Sequence, residues 1–475
     1  MNALWERWKP DARVAAVGAV MAVAAVGVGA LLGYTGPLIT AAVLLALAAA
    51  LWVATSLDLA MWSIVAVIAL LPFATLPLKV VLTPTFLDLA VVAAVGIYAL
   101  QWMRGMRRHL TITPAHAPIV LFMALAIFSF AAGQPNGPLT SNLLRHFAEL
   151  LVSIAFVFVV VDYLDSRDKL ERLVLVILLC GTAAAAIGVV LYFLPPALTE
   201  RLLSMLGRFN YPTSDVLRYI EDDPNNAQRA IGTSVDPNVL GGFLTLIGAL
   251  WAPQLARRRP IVPWWIAWPA FGLVAVCLVL TYSRAALVAL AVGLTGIALA
   301  RYRRLLWIIL AAALVIVALP LAQPYVAHFT QGIQGQDLAT QMRFGEYKDA
   351  LILIGRHPWL GVGFSGAPEI DVYLGVSSAY LIIAEEMGVV GLGAFLLIMA
   401  AVFGWAFVKR RAVYADERLT AVWLGSHAAL AAALTVGFLD HYFFNIDFQP
   451  SGLIFWVVVS LCLAATRLAA SAEPA

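Results

Sequence analysis

The feature that most limits how this chain can fold is a series of apolar runs, each long enough to cross a lipid bilayer. Crossing the hydrocarbon layer as a helix takes about 20 apolar residues, and such runs recur from residue 13 to residue 469. Only 12% of the residues are charged and 63% are hydrophobic, whereas a soluble domain is usually about a quarter charged. A water-soluble fold could not bury this much apolar surface, so we predict an integral membrane protein.

The apolar runs predict an all-α, polytopic transmembrane helix bundle of about 14 spans. The predicted spans are 13–33, 37–56, 58–72, 85–102, 117–132, 144–162, 170–192, 237–255, 262–280, 284–300, 305–322, 378–406, 419–438 and 451–469. The three cysteines lie inside apolar runs without metal-ligand spacing, so neither a disulfide nor a metal site is expected.

The orientation of the bundle follows from its basic loops, since lysine and arginine concentrate on the cytoplasmic side. With 14 spans the dense basic clusters all fall on one side, which predicts cytoplasmic termini. These clusters are 104–108, 167–172, 257–259, 301–304 and 409–411. The same count divides the chain into N-terminal helices (1–192), an external loop (193–236), central helices (237–322), a large external loop with short helices (323–377) and C-terminal helices (378–475).

Three arginines on the predicted external side depart from this charge rule. They are Arg229, Arg284 and Arg343, each at or near the start of a predicted helix. A guanidinium group holds phosphate oxygens through two parallel hydrogen bonds, so several arginines converging there would suit a lipid-linked pyrophosphate. Each arginine alone could instead pair with a carboxylate such as Asp236 or Glu346, or reach lipid phosphate.

Local patterns near these arginines predict two helix starts. Asp236 precedes Pro237 and Asn238, which predicts a helix capped by Asp236. A helix N-terminus favours anions, although capping alone would explain this residue. Residues 343–356 predict a short amphipathic helix that ends in a turn at His357.

The C-terminal part of the chain contains acidic and histidine side chains inside apolar surroundings. Glu385 and Glu386 lie early in a very apolar helix, where carboxylates are usually functional or paired. Asp440, His441 and Asp447 lie in an aromatic-rich external loop. A histidine beside a carboxylate can act as a general base, whereas the aromatic residues alone are those expected at a membrane interface.

Four segments carry a resemblance to a known family. In chain order they are RAIGTSVDPNVLGGFL, LTYSRAALVALAVG, RFGEYKDALILIGRHPWLGVGF and AYLIIAEEMGVVGLGAFL. The ordered set is similar to the O-antigen ligase and O-antigen polymerase superfamily of bacterial envelope glycosyltransferases. The resemblance covers roughly residues 225–400, and the first half of the chain matches only as hydrophobic spans.

The resemblance implies a lipid-dependent glycosyltransferase fold and a reaction on the outer face of the inner membrane. Family members move glycan from undecaprenyl pyrophosphate to an acceptor, without nucleotide sugar and with no known essential metal or cofactor. By this resemblance Arg229 and Arg284 would bind the donor pyrophosphate, and Arg343 matches the arginine that opens the family's loop helix.

One departure from the family concerns the base. The ligases typically carry a His-Asn pair where this chain has Ser377 and Ser378, just before Tyr380. These serines could bind sugar hydroxyls, as could the tyrosine, but a serine is no base at neutral pH. The candidates for the base are His441, Asp371 and Glu385, in that order.

The expected function is therefore transfer of a lipid-linked glycan to an acceptor hydroxyl by a multi-pass inner-membrane protein. The acceptor would be a second lipid-linked glycan (a polymerase, favoured by the serine pair), lipid A core (a ligase) or a protein. Envelope polysaccharide assembly proteins are potential partners, and no nucleic acid is expected. The alternatives are a lipid-linked oligosaccharide flippase and a structural scaffold. A transporter usually has two similar halves and polar groups at mid-membrane, whereas this chain concentrates its polar residues in external loops.

Overall fold

The protein is described by a computed structural model with 75% of its residues in helices and 1% in strands. It describes residues 10–53, 55–76, 83–257, 260–303, 305–307, 309–310, 314, 327, 330–332, 334–335, 338–366 and 375–471. The chain divides into two compact units, Met1–Ala60 and Met61–Ala475.

The helices follow the apolar runs closely. They are α1 (Pro10–Thr35), α2 (Pro37–Val53), α3 (Leu57–Leu70), α4 (Phe86–Met103), α5 (His116–Ala132), α6 (Ser141–Tyr163), α7 (Arg167–Phe193), α8 (Pro196–Ser204), α9 (Pro237–Ala256), α10 (Trp264–Leu280), α11 (Arg284–Ala300), α12 (Leu338–Arg356), α13 (Ala379–Tyr414), α14 (Glu417–Val436) and α15 (Gln449–Ala470). In the first unit, α1 and α2 are joined at Gly36, whose φ of 80° suits glycine.

The centre of the second unit is formed by α9, α14 and α15. Their most apolar windows are 89%, 83% and 83% buried, against 22% for α4. Small residues allow this close packing. A Cβ added to Gly425 would come within 3.2 Å of the backbone of Leu250, and one added to Gly293 would come within 2.9 Å of the carbonyl of Ala428.

The predicted basic clusters meet at one end of this bundle, which we call the basic end. Four of the five clusters contribute to the contacts at this end, which are Arg107–Asp162 (2.5 Å), Arg257–Glu171 (2.9 Å), Arg167–Asp416 (2.7 Å), Arg418–Asp168 (2.8 Å) and Arg301 over the Tyr414 ring (5.3 Å). The ends of the helices that carry segments 194–236 and 437–448 form the opposite end, the loop end. Contacts there include His146–Asp447 (2.7 Å) and Gln449–Asp88 (2.9 Å).

The segment between α7 and α9 is ordered into small elements at the loop end. After α8, a 3₁₀ turn covers Met205–Phe209, and two short strands, β1 (Arg218–Tyr219) and β2 (Gln228–Arg229), pair antiparallel. The hydroxyl of Thr199 in α8 donates to the carbonyl of Leu191 (2.9 Å). These hydrogen bonds give partners to backbone groups that would otherwise have none within the protein.

The helix α13 is broken near its start. Gly388 has φ 68° and ψ −176°, which no helix allows. The carbonyl groups of Glu385 and Glu386 accept instead from the amides of Val362 (2.8 Å) and Gly363 (3.0 Å). The segment that follows α12 therefore replaces the helical hydrogen bonds that α13 lacks, as required where a membrane helix is interrupted.

The structure confirms the all-α fold class but does not confirm 14 spans. Seven described helices are long and apolar enough to cross a membrane: α4, α6, α7, α9, α13, α14 and α15. The described apolar helices α3, α5, α10 and α11 are shorter. The predicted span 305–322 lies largely outside the described residues, and of the predicted loop 323–377 the structure describes mainly 338–366. The amphipathic helix predicted at 343–356 begins earlier, at Leu338.

Candidate functional site

The first arginine of the site, Arg229, is held by β2 at the loop end. In the two-stranded sheet Arg229 faces Arg218. The amide of Ala230 donates to the carbonyl of Leu280 at the end of α10 (2.8 Å), and the Arg229 Nε–H donates to the carbonyl of Thr281 (2.8 Å). Backbone and side chain together therefore fix the position of this guanidinium group.

The predicted cap of α9 lies beside this guanidinium. Asp236 Oδ1 accepts from the amides of Asn238 (2.7 Å) and Val239 (2.9 Å), so the predicted helix start is confirmed. The side chain of Asn238 turns back, and its Oδ1 accepts from Arg229 Nη2 (2.7 Å). The positive end of a helix dipole thus lies next to a positive side chain, an arrangement that attracts anions.

The charge of Arg229 is balanced by carboxylates that lie near it without forming an ion pair in the described structure. Burial lowers the pKa of the guanidinium, the carboxylates of Asp236, Asp222 and Asp440 raise it, and Arg343 lowers it. An arginine remains charged at neutral pH despite such a shift. Two guanidinium groups, Arg229 and Arg343, therefore act on the same small region.

Helix α12 places Arg343 over this region. One turn further along, the Tyr347 hydroxyl donates to the carbonyls of Ser377 (3.1 Å) and Phe438 (2.9 Å). Glu346 accepts from the amide of Ser377 (2.9 Å). Because residues three and four apart share one face of a helix, Arg343 lies on the face that these bonds hold against α13 and α14.

The segment after α14 supplies a buried carboxylate, Asp440. Its Oδ1 accepts from the amide of His441 (2.9 Å), and only 8% of the residue is exposed. Burial raises the pKa of Asp440 to about 7; Asp236 also raises it, whereas Arg343, the hydrogen bond from the His441 amide and Arg229 lower it. A carboxylate with a pKa near the working pH is suited to accept a proton during a reaction.

The neighbouring imidazole, His441, completes the site. Burial lowers the pKa of His441; Glu346, Asp236 and Asp447 oppose this shift, and Arg343 adds to it. The imidazole is therefore mostly neutral at neutral pH. We call the following set the polar cluster: Arg229, Asp236, Arg343, Asp440 and His441.

Comparisons with known proteins give a family match in the second half of the chain and two relatives. A family model described as O-antigen ligase matches residues 269–396. An O-antigen ligase of Pseudomonas aeruginosa is 27% identical over 284 residues, which cover 57% of this chain and 66% of that protein. Both matches support a relationship to the O-antigen ligase superfamily. A probable peptidoglycan glycosyltransferase FtsW of Pseudomonas fluorescens is also 27% identical, over 61% of this chain and 76% of that protein.

The O-antigen ligase match contains two of the three arginines that the sequence predicted to be external. Arg284 and Arg343 lie within residues 269–396, whereas Arg229 and the segment 440–441 lie outside it. The polar cluster is therefore assembled from the matched region and from segments on both sides of it.

The structure places Arg284 differently from the other two arginines. It begins α11 directly after a tight turn in which Tyr282 has φ 52°. A Cβ added to Gly332 would overlap the Arg284 guanidinium, so this side chain reaches to the second long loop. Arg284 thus follows the same turn whose Thr281 carbonyl accepts from Arg229. The role of Arg284 in binding pyrophosphate stays a prediction.

Three further candidates for substrate binding lie where α13 meets α14. The backbone of Ser377 is bonded to α12 on both sides, the Ser378 hydroxyl donates to the carbonyl of Gly437 (3.2 Å), and the Tyr380 hydroxyl donates to the carbonyl of Leu434 (2.8 Å). These bonds hold the helix ends together, and contact with sugar stays a prediction for all three.

Of the two other predicted bases, Glu385 is described, and it does not join the polar cluster. Glu385 is 1% exposed and lies at the break in α13, where Asp349 and Glu346 are the charges that act on it. Asp371 lies outside the described residues. Of the two described candidates, His441 is the one that the structure places beside Arg343 and Asp440.

Sequence reasoning gave too little weight to Asp440, Asn238 and Tyr347. The sequence does point to Asp440, because it directly precedes His441, the first candidate for the base. It points to Asn238 as well, because this residue follows a capping Asp-Pro pair. It gives no signal for Tyr347 beyond its position four residues after Arg343, because the partners of Tyr347 are backbone carbonyls 30 and 91 residues away.

Proposed function

We propose that this protein is a glycosyltransferase that moves a glycan from undecaprenyl pyrophosphate to an acceptor hydroxyl on the outer face of the inner membrane. The similarity to O-antigen ligases and to a probable peptidoglycan glycosyltransferase supports glycan transfer in general. The observation that carries the more specific proposal is the polar cluster itself: two guanidinium groups beside a buried carboxylate and a neutral imidazole at the loop end.

The two guanidinium groups fit the donor's pyrophosphate. Arg229 is held by Thr281 and Asn238 before any ligand arrives, so little reorganisation is needed when charge develops. Arg343 approaches from α12, and Arg284 would reach the pyrophosphate from the adjoining turn. Together they would hold the leaving group and stabilise the negative charge that it gains.

The chemical step is a single displacement. The acceptor oxygen attacks the anomeric carbon, the bond from that carbon to the pyrophosphate oxygen breaks, and the bonding electrons leave with the pyrophosphate. This inverts the anomeric centre. Pyrophosphate is a good leaving group, so no strong general acid is required, and the guanidinium groups take the part that a metal ion plays elsewhere.

The acceptor would be a second lipid-linked glycan, lipid A core or a protein. The serine pair at Ser377 and Ser378 favours a polymerase, whereas the matching family model and one of the two relatives are both described as O-antigen ligase. The proposed location is the bacterial inner membrane, with the loop end outside, both termini in the cytoplasm and the lipid tail of the donor among the helices.

The test is transfer by purified protein in nanodiscs. The protein receives an oligosaccharide linked to undecaprenyl pyrophosphate, with a chelator present and no nucleotide sugar, and products are read by gel and mass spectrometry. Longer lipid-linked glycan would establish a polymerase, and transfer only to added lipid A core or protein would establish a ligase. Absence of transfer to any of these acceptors, with movement of the donor across liposome membranes, would replace the proposal with a flippase.

A further inference from the structure

The side chain of His441 is held by an asparagine four residues further along. The amides of Phe444 and Asn445 both donate to the His441 carbonyl (2.9 Å each), which makes this segment a single helical turn. Residues four apart face each other across such a turn. The Asn445 amide nitrogen accordingly lies 2.9 Å from His441 Nδ1.

The orientation of the Asn445 amide is set by a second contact. Its Oδ1 accepts from the backbone amide of Asp447 (2.8 Å), and that N–H can only donate. The amide nitrogen must then face His441 and donate to Nδ1. Asp447 is itself anchored, since its carboxylate lies 2.7 Å from Nδ1 of His146 on α6.

This arrangement determines which imidazole nitrogen carries the proton. A neutral imidazole has one N–H and one acceptor nitrogen. Because Nδ1 accepts from Asn445, the proton is on Nε2, and no described residue accepts from that Nε2. A base needs a free lone pair, but the lone pair of His441 is already engaged.

Asp440 has the complementary property. One of its oxygens accepts from the His441 amide, and no described group donates to the other. We infer that Asn445 holds His441 as a hydrogen-bond donor through Nε2 and that the carboxylate of Asp440, beside it, accepts the proton of the attacking hydroxyl. This inference deepens the proposed function and rests on it.

The reaction then balances without any further reagent. The acceptor oxygen forms its bond to the anomeric carbon, and the bond to the pyrophosphate oxygen breaks with its electron pair. The hydroxyl proton passes to Asp440 and from there to water. The Nε2–H of His441 donates to an oxygen of the bound sugars or of the leaving group, and Asn445 is a positioning residue.

The groups around the pair come from several elements, and each of them affects how the two titrate. They are Arg229 on β2, Asp236 at the start of α9, Arg343, Glu346 and Tyr347 on α12, and Tyr442 and Asp447 in the segment that contains the pair. The two arginines favour the ionised form of Asp440, and the acidic groups oppose it.

The experiment compares His441→Gln with Asp440→Asn in the transfer assay, over a range of pH. The amide nitrogen of glutamine replaces the Nε2–H donor but cannot act as a base. His441→Gln should therefore keep transfer within about tenfold of the wild type, with the fall at low pH preserved. Asp440→Asn should lose at least about 100-fold, the usual contribution of a general base.

The opposite pattern would overturn the inference: loss of transfer and of its acid-side pH dependence in His441→Gln, with transfer kept in Asp440→Asn. If the wild type itself transfers no glycan, the proposed function fails first, and the inference fails with it.

The protonation of the two ring nitrogens of His441 can also be measured directly, without an activity assay. Nitrogen-15 spectra of histidine-labelled protein, with His441→Gln used to assign the signal, should show an unprotonated Nδ1 and a protonated Nε2 for His441. The substitution Asn445→Leu should change this pattern, whereas Asn226→Leu, at an exposed asparagine in the other loop, should leave it unchanged. A protonated Nδ1 in the wild type would overturn the inference.

Discussion

The two ends of the bundle contain similar charges but arrange them differently. At the basic end the arginines are paired directly with carboxylates: Glu171 lies between Arg257 and Arg418, and Arg167 contacts Asp416. At the loop end, the ion pairs found among the described residues include no member of the polar cluster. Arg229 bonds to a carbonyl and an amide instead.

This difference indicates what each end is for. A guanidinium paired with a carboxylate has used its charge to hold helices together. A guanidinium group that is positioned by neutral groups keeps its charge for a ligand. It is also already in place when the ligand binds, so binding needs little reorganisation. The comparison predicts that substitutions at the loop end reduce activity, whereas substitutions at the basic end reduce stability.

The largest effect is expected from Arg229→Ala. Removing a preorganised cation that stabilises the leaving group should lower the transfer rate by on the order of 100-fold or more. The assay is glycan transfer by purified protein, normalised to the folded fraction. Arg229→Ala with wild-type transfer would contradict the role that we assign to the loop end.

The next largest effect is expected from Glu171→Gln at the basic end. Arg257, which is 6% exposed, would be left without its carboxylate, and such an unpaired buried charge costs about 3 kcal/mol. The melting temperature in detergent should fall by several degrees, while transfer per folded molecule stays the same. A large loss of specific activity at an unchanged melting temperature would erase the distinction between the two ends.

A smaller effect concerns pH. Since Asp440 must be ionised to accept a proton, transfer should rise with pH through about 7, the pKa that burial gives this group. Arg343 lowers that pKa. In Arg343→Gln the fall of transfer on the acid side of the pH profile, the acid limb, should therefore shift to higher pH, by about one pH unit. Lys348→Gln, at an exposed position on the same helix, is the control and should leave the limb in place.

The smallest effect is expected from Arg418→Ala. Its side chain is 46% exposed, and exposed pairs contribute less than about 1 kcal/mol. The melting temperature should change much less than in Glu171→Gln, without loss of transfer. An effect equal to that of Glu171→Gln would mean that the pairs at the basic end act as one network.

The helices and one helix cap could be predicted from the sequence because their causes are local. Apolar runs of bilayer length predict spans, and Asp236 before a proline predicts a cap that the structure confirms. The break in α13 could not be predicted, because a glycine such as Gly388 is common inside membrane helices. The groups that replace the lost bonds, the amides of Val362 and Gly363, come from a distant segment.

The polar cluster was partly predictable for the same reason. The charge rule singled out Arg229 and Arg343, and an aromatic loop drew attention to His441. That Asp440 lies near both arginines depends on how α12 packs on the ends of α13 and α14, which no spacing in the sequence records. The contact between His441 and Asn445 has helical spacing, but it lies in a segment that reads as a loop.

The break at Gly388 has a consequence for how this part of the chain opens. Its two sides are bonded to one short segment, through Val362 and Gly363 before the break and through Val389 to the carbonyl of Pro358 after it (2.8 Å). Neither piece of α13 can separate from that segment without exposing carbonyl groups to lipid. In hydrogen exchange, the amides of Val362, Gly363 and Val389 should therefore become exchangeable together, as one cooperative unit that joins the end of α12 to the membrane interior.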